Sequence, residues 1–386
     1  MFHVKMVSLV PHLPLVKNNM NLRDRTAGTR FFWIDLIRVV ACYLVVLLHV
    51  LNPYAMSRTN FDANIEFWWL ANFFRSCATV AVPLFFMISG HLLLGKEEPA
   101  KIFFMKRASK VAVPLLFWLF VYFGFKLYTG ALNGDGGITM AFIRNAKNGS
   151  IHSHFWFLYV LISVYVVVPF LRKYISAANR ANIEGLLCLW FVVHSLYGTI
   201  NFIRPVSFYF PLEFATKYSG YFILGYYLGQ REYSKSTSKW CFGGIVGFVL
   251  LSLFGTSFVM STVNDSTFQF DNPPMKYPME ILYYPFAPNV ILLASCVFIW
   301  FKCNTEKIRS KWFVQGISFL ANLSFGVFLV HGIVMEIVLE TIRPLVNEQE
   351  PLTVLLLVAA SVIIFLCSAL VTYVIRSLPM GKIVAP

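Results

Sequence analysis

The sequence predicts an all-α polytopic membrane protein with about ten transmembrane helices and both termini in the cytoplasm. Of its 386 residues, 58% are hydrophobic and only 13% are charged, and the mean hydropathy is +0.67. These values lie far outside the range of soluble domains. The apolar residues are gathered in runs of about 20, which is the length that crosses the hydrocarbon core of a bilayer.

Each predicted span is an apolar run without the short alternating pattern of a transmembrane barrel. Helices are therefore expected, because a helix pairs its own backbone groups where lipid offers no partner. The ten predicted spans cover approximately residues 31–52, 68–94, 111–130, 155–171, 183–203, 208–229, 240–260, 279–301, 317–341 and 352–375.

The net charge of +14 follows the predicted topology. Basic residues concentrate before the first span and in every second loop, whereas the intervening loops hold one or two each. By the positive-inside rule, both termini lie in the cytoplasm. Nucleic-acid binding is accordingly disfavoured, since the charge forms no single basic face. The basic segments are 5–30, 96–110, 172–180, 231–239, 302–311 and 376–382.

The predicted organisation is a cytoplasmic tail over residues 1–30, a transmembrane domain over residues 31–376 and a cytoplasmic tail over residues 377–386. The first 19 residues are too short and too interrupted by proline for a signal peptide, and Met20 is an alternative start. The seven cysteines show no Cys-x-x-Cys spacing. We therefore expect neither a structural disulfide nor a metal site.

The first span carries three polar residues, Asp35, Arg38 and His49. Arg38 and His49 are eleven residues apart, so they share one helix face and lie about 16 Å apart along the axis. An ionisable residue inside a span usually serves function, because it is costly unless it faces the bundle interior or water. The alternative is structural: Asp35 pairs with Arg38 at the inner interface, and His49 hydrogen-bonds a neighbouring helix.

The second span ends in Val80-Ala-Val-Pro83-Leu-Phe-Phe-Met-Ile-Ser89-Gly90. Pro83 and Gly90 are unfavourable inside an ordinary helix and indicate a kink, a close approach of another helix, or broken backbone that lines a cavity. Further along, Lys106, Arg107 and Lys110 precede Pro114. We interpret them as a basic cytoplasmic turn, which is either a topological anchor or a phosphate-binding site.

Three further candidates belong to the fourth and ninth predicted spans. His154 and Trp156, with His152 just before them, lie at the outer mouth of the fourth span. Zinc binding by the two histidines is weakly indicated, since their spacing offers no evident third ligand, and Trp156 suits an interfacial anchor. His331 lies in the ninth span, where it could converge with His49 or serve packing alone.

Taken in this order, these segments resemble the acyltransferase family 3 membrane proteins, and within them the branch that contains the O-acetyltransferase of enterobacterial common antigen. The similarity spans about residues 31–376. It rests on Trp33-Ile-Asp35-x-x-Arg38 with its ten-residue gap to His49, on Val82-Pro-Leu-Phe-Phe-Met-Ile-Ser-Gly90, on Lys106-Arg107-x-x-Lys110, on His154-Phe-Trp156-Phe-Leu and on Ser324-Phe-Gly326 through His331. Lysines stand at 106 and 110 where the family often has arginine, which leaves weaker phosphate contacts there.

The resemblance implies an enzyme of the bacterial inner membrane that moves an acyl group, usually acetyl, from acyl-CoA to a hydroxyl of a surface polysaccharide such as O antigen. The expected partners are acyl-CoA, a lipid-linked or polymeric glycan and the bilayer, without a tightly bound cofactor. Two alternatives remain, a transporter or exporter and an enzyme that uses succinyl or another acyl donor. The expected roles are catalytic for His49 and Arg38, acceptor-side for His331, His154 and Trp156, donor-binding for Lys106, Arg107 and Lys110, and structural or gating for Asp35, Pro83, Ser89 and Gly90.

Overall fold

The computed structural model describes residues 31–130, 137–147, 151–199, 213–262, 280–305, 308 and 310–386. These residues form helices joined by short turns, and no strand occurs among them. The predicted all-α fold is therefore confirmed. The predicted N-terminal tail lies outside the described residues.

The helices vary from single turns to a helix of 32 residues. In chain order they are α1 Phe32–Ala55, α2 Arg58–Ala63, α3 Ile65–Ala78, α4 Ala81–Leu93, α5 Ala100–Arg107, α6 Val113–Tyr128, α7 Ile138–Lys147, α8 Trp156–Ala177, α9 Arg180–Trp190, α10 Glu213–Gly229, α11 Lys235–Thr262, α12 Glu280–Tyr283, α13 Pro288–Asn304, α14 Lys311–Ile342, α15 Thr353–Ser377 and α16 Gly381–Val384. Short 3-10 or π-helical segments adjoin several of them.

Eight helical segments of the described chain are long and apolar enough to cross a membrane, which confirms a polytopic membrane protein. The remaining two predicted spans, 183–203 and 208–229, overlap residues outside the described part, although α9 and α10 occupy much of them. The eight segments are Phe32–Ala55, Ile65–Leu93, Ala100–Tyr128, Ser153–Ala177, Lys235–Thr262, Glu280–Asn304, Lys311–Leu345 and Thr353–Ser377.

Helix α1 lies in the middle of the bundle. It packs against α3, α4, α13, α14 and α15, so most of its circumference meets other helices instead of lipid. Its sequence is apolar around nearly the whole helix, which is typical of a helix buried in this way. This central position brings the face that carries His49 against α14.

The second predicted span is two helices with a break at Thr79 and Val80. Pro83 lies in the first turn of α4, where a missing backbone N–H costs little. Gly90 serves a close helix approach, because a Cβ at this position would collide with the carbonyl group of Phe222 in α10. Gly225 of α10 plays the same part on the opposite helix, since a Cβ there would collide with the backbone of Met87. Small residues on both helices thus let α4 and α10 cross at nearly backbone contact.

The interpretation of residues 106–110 as a basic turn was wrong. Helix α5 runs into a π-helical segment, Ala108–Ala112, which continues directly into α6. The physical reason is Pro114, which has no N–H to donate and whose ring crowds the carbonyl four residues earlier. A π-helical turn widens the helix at that point and so allows the chain to remain helical.

The C-terminal residues fold back onto the bundle. After Met380 in the left-handed region, with φ of 62°, α16 packs against α15 and α6. The indole Nε1 of Trp118 donates a hydrogen bond to the carbonyl oxygen of Val384 at 2.8 Å. The segment predicted as a cytoplasmic tail is therefore attached to the third predicted span.

Candidate active site

Four imidazoles from three parts of the chain meet near one end of the bundle, and we call them the histidine cluster: His49, His152, His154 and His331. The ring centroids of His49 and His331 are 5.4 Å apart, those of His331 and His154 are 4.9 Å apart, and those of His154 and His152 are 4.3 Å apart. The possible convergence of His49 with His331 is thus present in the structure, and two histidines of the fourth span complete the group.

A small cavity of about 70 Å³ lies beside the histidine cluster. Two of its lining residues are His49 and His154, and nearly all the others are apolar. Trp156 belongs to the lining and keeps 40% of its surface exposed, so it sits at the edge of the cavity. The lining residues are Val45, Leu48, His49, Ala81, Val82, Phe85, His154, Trp156, Phe157 and Phe328.

Helix α14 presents His331 with a defined tautomer. The Nδ1 atom of His331 is 2.7 Å from the carbonyl oxygen of Phe328, which has only acceptor character, so Nδ1 carries the proton. The lone pair of a neutral ring then resides on Nε2, which is buried and has no hydrogen-bond partner among the described residues. His331 therefore offers a proton acceptor to the site.

Tyr122 of α6 fixes this part of α14. Its hydroxyl donates to the carbonyl oxygen of Leu329 at 2.9 Å and accepts from the N–H of Ile333 at 3.2 Å. In a regular helix these two backbone groups would hydrogen-bond to each other. Here the Tyr122 hydroxyl stands between them and bonds to both. Gly332 makes room for it, because a Cβ there would lie 2.7 Å from the Tyr122 hydroxyl and 3.0 Å from the His152 ring.

His152 precedes the fourth span and contacts a carboxylate. Its Nε2 lies 3.4 Å from Oε1 of Glu336, a side chain of α14 that is 37% exposed. Burial lowers the pKa of His152 to about 4, with further lowering from the positive charge of Lys126 and from His49. His152 is therefore neutral at pH 7.

The residues that the structure describes contain no group of three or more histidines, cysteines or carboxylates arranged to hold a metal ion. That the histidine cluster holds no metal stays a prediction. Its chemistry is that of neutral imidazoles next to an apolar cavity, which suits proton transfer.

Arg38 lies near the opposite end of α1. Its guanidinium is 3.7 Å from the carboxylate of Asp35, and Asp35 also accepts a hydrogen bond from Ser318 of α14 at 3.0 Å. The structural pairing of Asp35 with Arg38 is thus present within α1, and the hydrogen bond from Ser318 links α1 to α14. Arg38 keeps 29% of its side chain exposed and is close enough to Tyr165 of α8 to interact electrostatically with its hydroxyl.

Arg107 and Arg172 form a second group, which we call the cationic cluster. Their guanidinium carbons lie 5.4 Å and 4.7 Å from the ring centroid of Phe103. Arg172 donates from Nε to the carbonyl oxygen of Leu93 at 2.8 Å. Nε of Arg107 and both Nη atoms of Arg172 are buried without hydrogen-bond partners in the described chain. Such donors can bind an oxyanion such as a phosphate.

The two lysines predicted with Arg107 lie differently. Lys106 donates a hydrogen bond to Glu98 and is 57% exposed, while Lys110 is exposed on the π-helical segment. The hydrogen bond from Lys106, with the charges of Lys106, Arg172 and Arg107, holds the pKa of Glu98 below its ordinary value. Of these three basic residues, only Arg107 lies against the Phe103 ring of the cationic cluster.

Sequence reasoning missed Arg172, Tyr122 and Glu336 as parts of these two groups and considered His152 only as a weakly indicated zinc ligand. Arg172 was counted only among the charges that set topology. Tyr122 and Glu336 lie in apolar helices with no local pattern around them. The one sequence signal for Glu336 was its own position, since it is an acidic residue inside the ninth predicted span, five residues after His331.

The chain was compared with known proteins. Residues 31–373 match the family described as the acyltransferase domain. A protein of Bacillus subtilis (strain 168) named "Putative membrane-bound acyltransferase YfiQ" is 24% identical over 317 residues, which cover 78% of this chain and 80% of that protein. No solved structure matches the chain significantly. Since the family match takes in most of the sequence and both groups of site residues, this chain belongs to the acyltransferase family 3 of membrane proteins and is an acyltransferase.

Proposed function

We propose that this protein transfers an acetyl group from acetyl-CoA, bound at the cytoplasmic side of a bacterial inner membrane, to a hydroxyl group of a cell-surface glycan. O antigen of lipopolysaccharide or a related polysaccharide is the acceptor class that we favour. The observation that carries the proposal is the cavity beside the histidine cluster, which His49 and His154 both line.

The cationic cluster suits the donor. Coenzyme A carries phosphates, and Nε of Arg107 and both Nη atoms of Arg172 make no hydrogen bond among the described residues, although Nη1 of Arg172 forms an ion pair with Oε2 of Glu98 at 3.7 Å. Arg38 interacts with Tyr165 of α8, as Arg107 does. It is well placed to orient the thioester or to stabilise the negative charge that develops on its oxygen. Lys106 and Lys110 add positive potential at the surface.

The histidine cluster suits the acceptor and the chemical step. A sugar hydroxyl is a poor nucleophile at neutral pH and needs a base within hydrogen-bond reach. His49 is that base, either for direct attack or for formation of an acyl intermediate. It is about 16 Å from Arg38 along α1, a separation that an extended pantetheine arm can bridge. His331, His154 and Trp156 form the acceptor side.

The polarity of the cavity favours acetyl over succinyl. A succinyl group would bring a carboxylate into the low-dielectric site, and this is costly unless a cation pairs with it. The described lining contains no arginine or lysine, so we expect acetyl to be the preferred group.

The transporter alternative receives no support from the chain's family, whose relatives are acyltransferases by description. A transporter would need coupling-ion ligands near the bilayer midplane. Among the described residues, the buried polar groups near the cavity are imidazoles instead, and no cluster of carboxylates accompanies them.

The decisive experiment is expression of the chain in a bacterial host, supply of labelled acetyl-CoA to its membranes, and analysis of lipopolysaccharide and other glycans for new O-acetyl groups. His49→Ala is expected to abolish labelling while the protein still inserts into the membrane. Arg38→Lys keeps the charge but loses the planar donor fork, so a large loss of activity is expected there too. If His49→Ala labels every glycan fraction as strongly as the unaltered protein does, the assignment of His49 is overturned.

A further inference from the structure

The histidine cluster ends in a carboxylate, and the proposed function does not use this feature. His154 and His152 are joined by a hydrogen bond between their Nδ1 atoms, and Nε2 of His152 lies 3.4 Å from Oε1 of Glu336. His154 is 1% exposed and His152 is 8% exposed. A carboxylate therefore contacts one buried imidazole, which contacts a second one, and that second imidazole lines the cavity.

Proton positions in this arrangement follow from the carboxylate. An ionised carboxylate can only accept, so the Nε2 of His152 that faces Glu336 carries the proton. The neutral ring of His152 then has its lone pair on Nδ1. Because each hydrogen bond needs one donor, Nδ1 of His154 must carry the proton that it shares with His152 Nδ1. The remaining nitrogen of His154, Nε2, is left as an acceptor.

That acceptor is the atom without a partner. Nε2 of His154 is buried and makes no hydrogen bond to any residue that the structure describes. A buried unpaired imidazole nitrogen is costly, and its presence beside a cavity is typical of a site that awaits a donor. A substrate hydroxyl is such a donor.

We propose that Glu336 and His152 are positioning residues that hold His154 in the tautomer able to accept the proton of the acceptor hydroxyl, and that they pass this proton toward the outer face. The proposal rests on the proposed function, which supplies the sugar hydroxyl. It adds two residues to the acceptor side and applies where an acyl intermediate forms: His49 is the base for its formation, and His154 accepts the proton of the hydroxyl that then attacks it.

The step balances without any further reactant. The O–H bond of the sugar breaks as a C–O ester bond forms to the acyl carbon, and the bond from that carbon to its carrier breaks. The hydroxyl proton moves to Nε2 of His154, and the proton on Nδ1 moves to His152 and then to Glu336. Coenzyme A leaves as a thiolate and takes up a proton from the cytoplasm, so overall a thioester and an alcohol become an ester and a thiol.

The position of Glu336 suits release of the proton at the outer side. Glu336 is 25 residues after Lys311, the first residue of α14, and this corresponds to about 37 Å along the helix, more than the roughly 30 Å of a hydrocarbon core. Its side chain is 37% exposed. The other titratable groups that face His152 are Tyr122 and Lys126 of α6, His49 of α1 and His331 of α14. Glu336 is the only acid in contact with His152 among the described residues.

The test uses the full chain in membranes of the expressing host, with [14C]acetyl-CoA as donor and the host glycan fraction as acceptor. Glu336→Gln and His152→Asn are expected to lower kcat at least tenfold between pH 6 and 8 and to leave the KM for acetyl-CoA unchanged, because they act on proton transfer and not on donor binding. Their pH profiles should differ from that of the unaltered protein. Glu336→Asp should recover part of the rate.

The matched control is Glu340→Gln, one turn further along α14, where the exposed carboxylate pairs with Arg343 at 3.5 Å and has no other ion pair within the described residues. Protein level and unfolding temperature of each variant show whether it folds. If the unaltered protein labels glycans, and if Glu336→Gln and His152→Asn both match Glu340→Gln in rate and pH profile, the relay alone is overturned. Absence of label with the unaltered protein would instead refute the proposed function and the relay with it.

Discussion

The crossing of α4 and α10 gives the sharpest test of the fold. At Gly90 an added Cβ would meet three backbone atoms of Phe222, and backbone cannot rotate away as a side chain can. Gly90→Ala must therefore push the two helices apart by roughly 1 Å, and a gap of that size forfeits a quarter to a half of the dispersion energy at the contact. We expect a loss of about 3 kcal/mol in the free energy of unfolding, at the upper end of the range for overpacking.

Gly124→Ala is the matched control. Gly124 lies within α6 and has no atom within 4 Å of its ideal Cβ position. Removing a helical glycine there should increase the free energy of unfolding by up to about 1 kcal/mol. Gly225→Ala, on the other side of the crossing, should resemble Gly90→Ala because its Cβ would collide with the backbone of Met87.

The assay is denaturant or thermal unfolding of the purified protein in detergent micelles, followed by circular dichroism or tryptophan fluorescence. The variants at Gly90 and Gly124 should differ by about 3 to 4 kcal/mol. Activity should fall with Gly90→Ala as well, since α4 supplies Ala81, Val82 and Phe85 to the cavity wall. Equal stability of the two variants would show that α4 and α10 are not in backbone contact in the folded protein.

Three further predictions concern the site. Arg172→Gln should raise the KM for acetyl-CoA about tenfold or more, the effect of losing one charge-assisted hydrogen bond, whereas Lys173→Gln at the exposed next position should not; equal KM values would contradict a donor role. Tyr122→Phe should cost about 2 kcal/mol of unfolding free energy, because it removes the hydroxyl between two backbone groups of α14; Tyr128→Phe, fully exposed on the same helix, is the control. The pKa of about 4 for His152 means that the unfolded chain binds a proton below about pH 6.5 that the folded chain does not. Through His152, the free energy of unfolding should therefore fall by roughly 3 kcal/mol between pH 6.5 and pH 4. His152→Asn should reduce this fall, and an equal fall in both proteins would refute the assignment.

Much of the fold follows from the sequence because a membrane span is a local property. Apolar runs of sufficient length and the backbone's need for internal hydrogen bonds were enough to predict helices across nearly the whole chain. A close approach was one of three interpretations offered for Pro83 and Gly90, and it is the one that the structure shows at Gly90. Its partner Gly225 was not identified, because no helix periodicity reports which other helix lies opposite.

The candidate site was predictable only where one helix carried it. Arg38 and His49 share α1, so simple geometry related them. His152 and Glu336 are far apart in the sequence, and each looks unremarkable alone: one is a histidine beside a better candidate, the other an acid near a helix end. Their contact depends on Tyr122 and Gly332 bringing α6, α14 and the start of the fourth span together, which is tertiary information.

The cavity beside the histidines has a consequence for the energy supply of the cell. A bacterial membrane stores a proton gradient, and a protein with titratable groups from one face to the other risks discharging it. Here the space next to His49 and His154 is walled mostly by apolar side chains, so an ion that enters it loses most of its polar surroundings, at a large energetic cost. These walls thereby oppose discharge of the gradient through the protein.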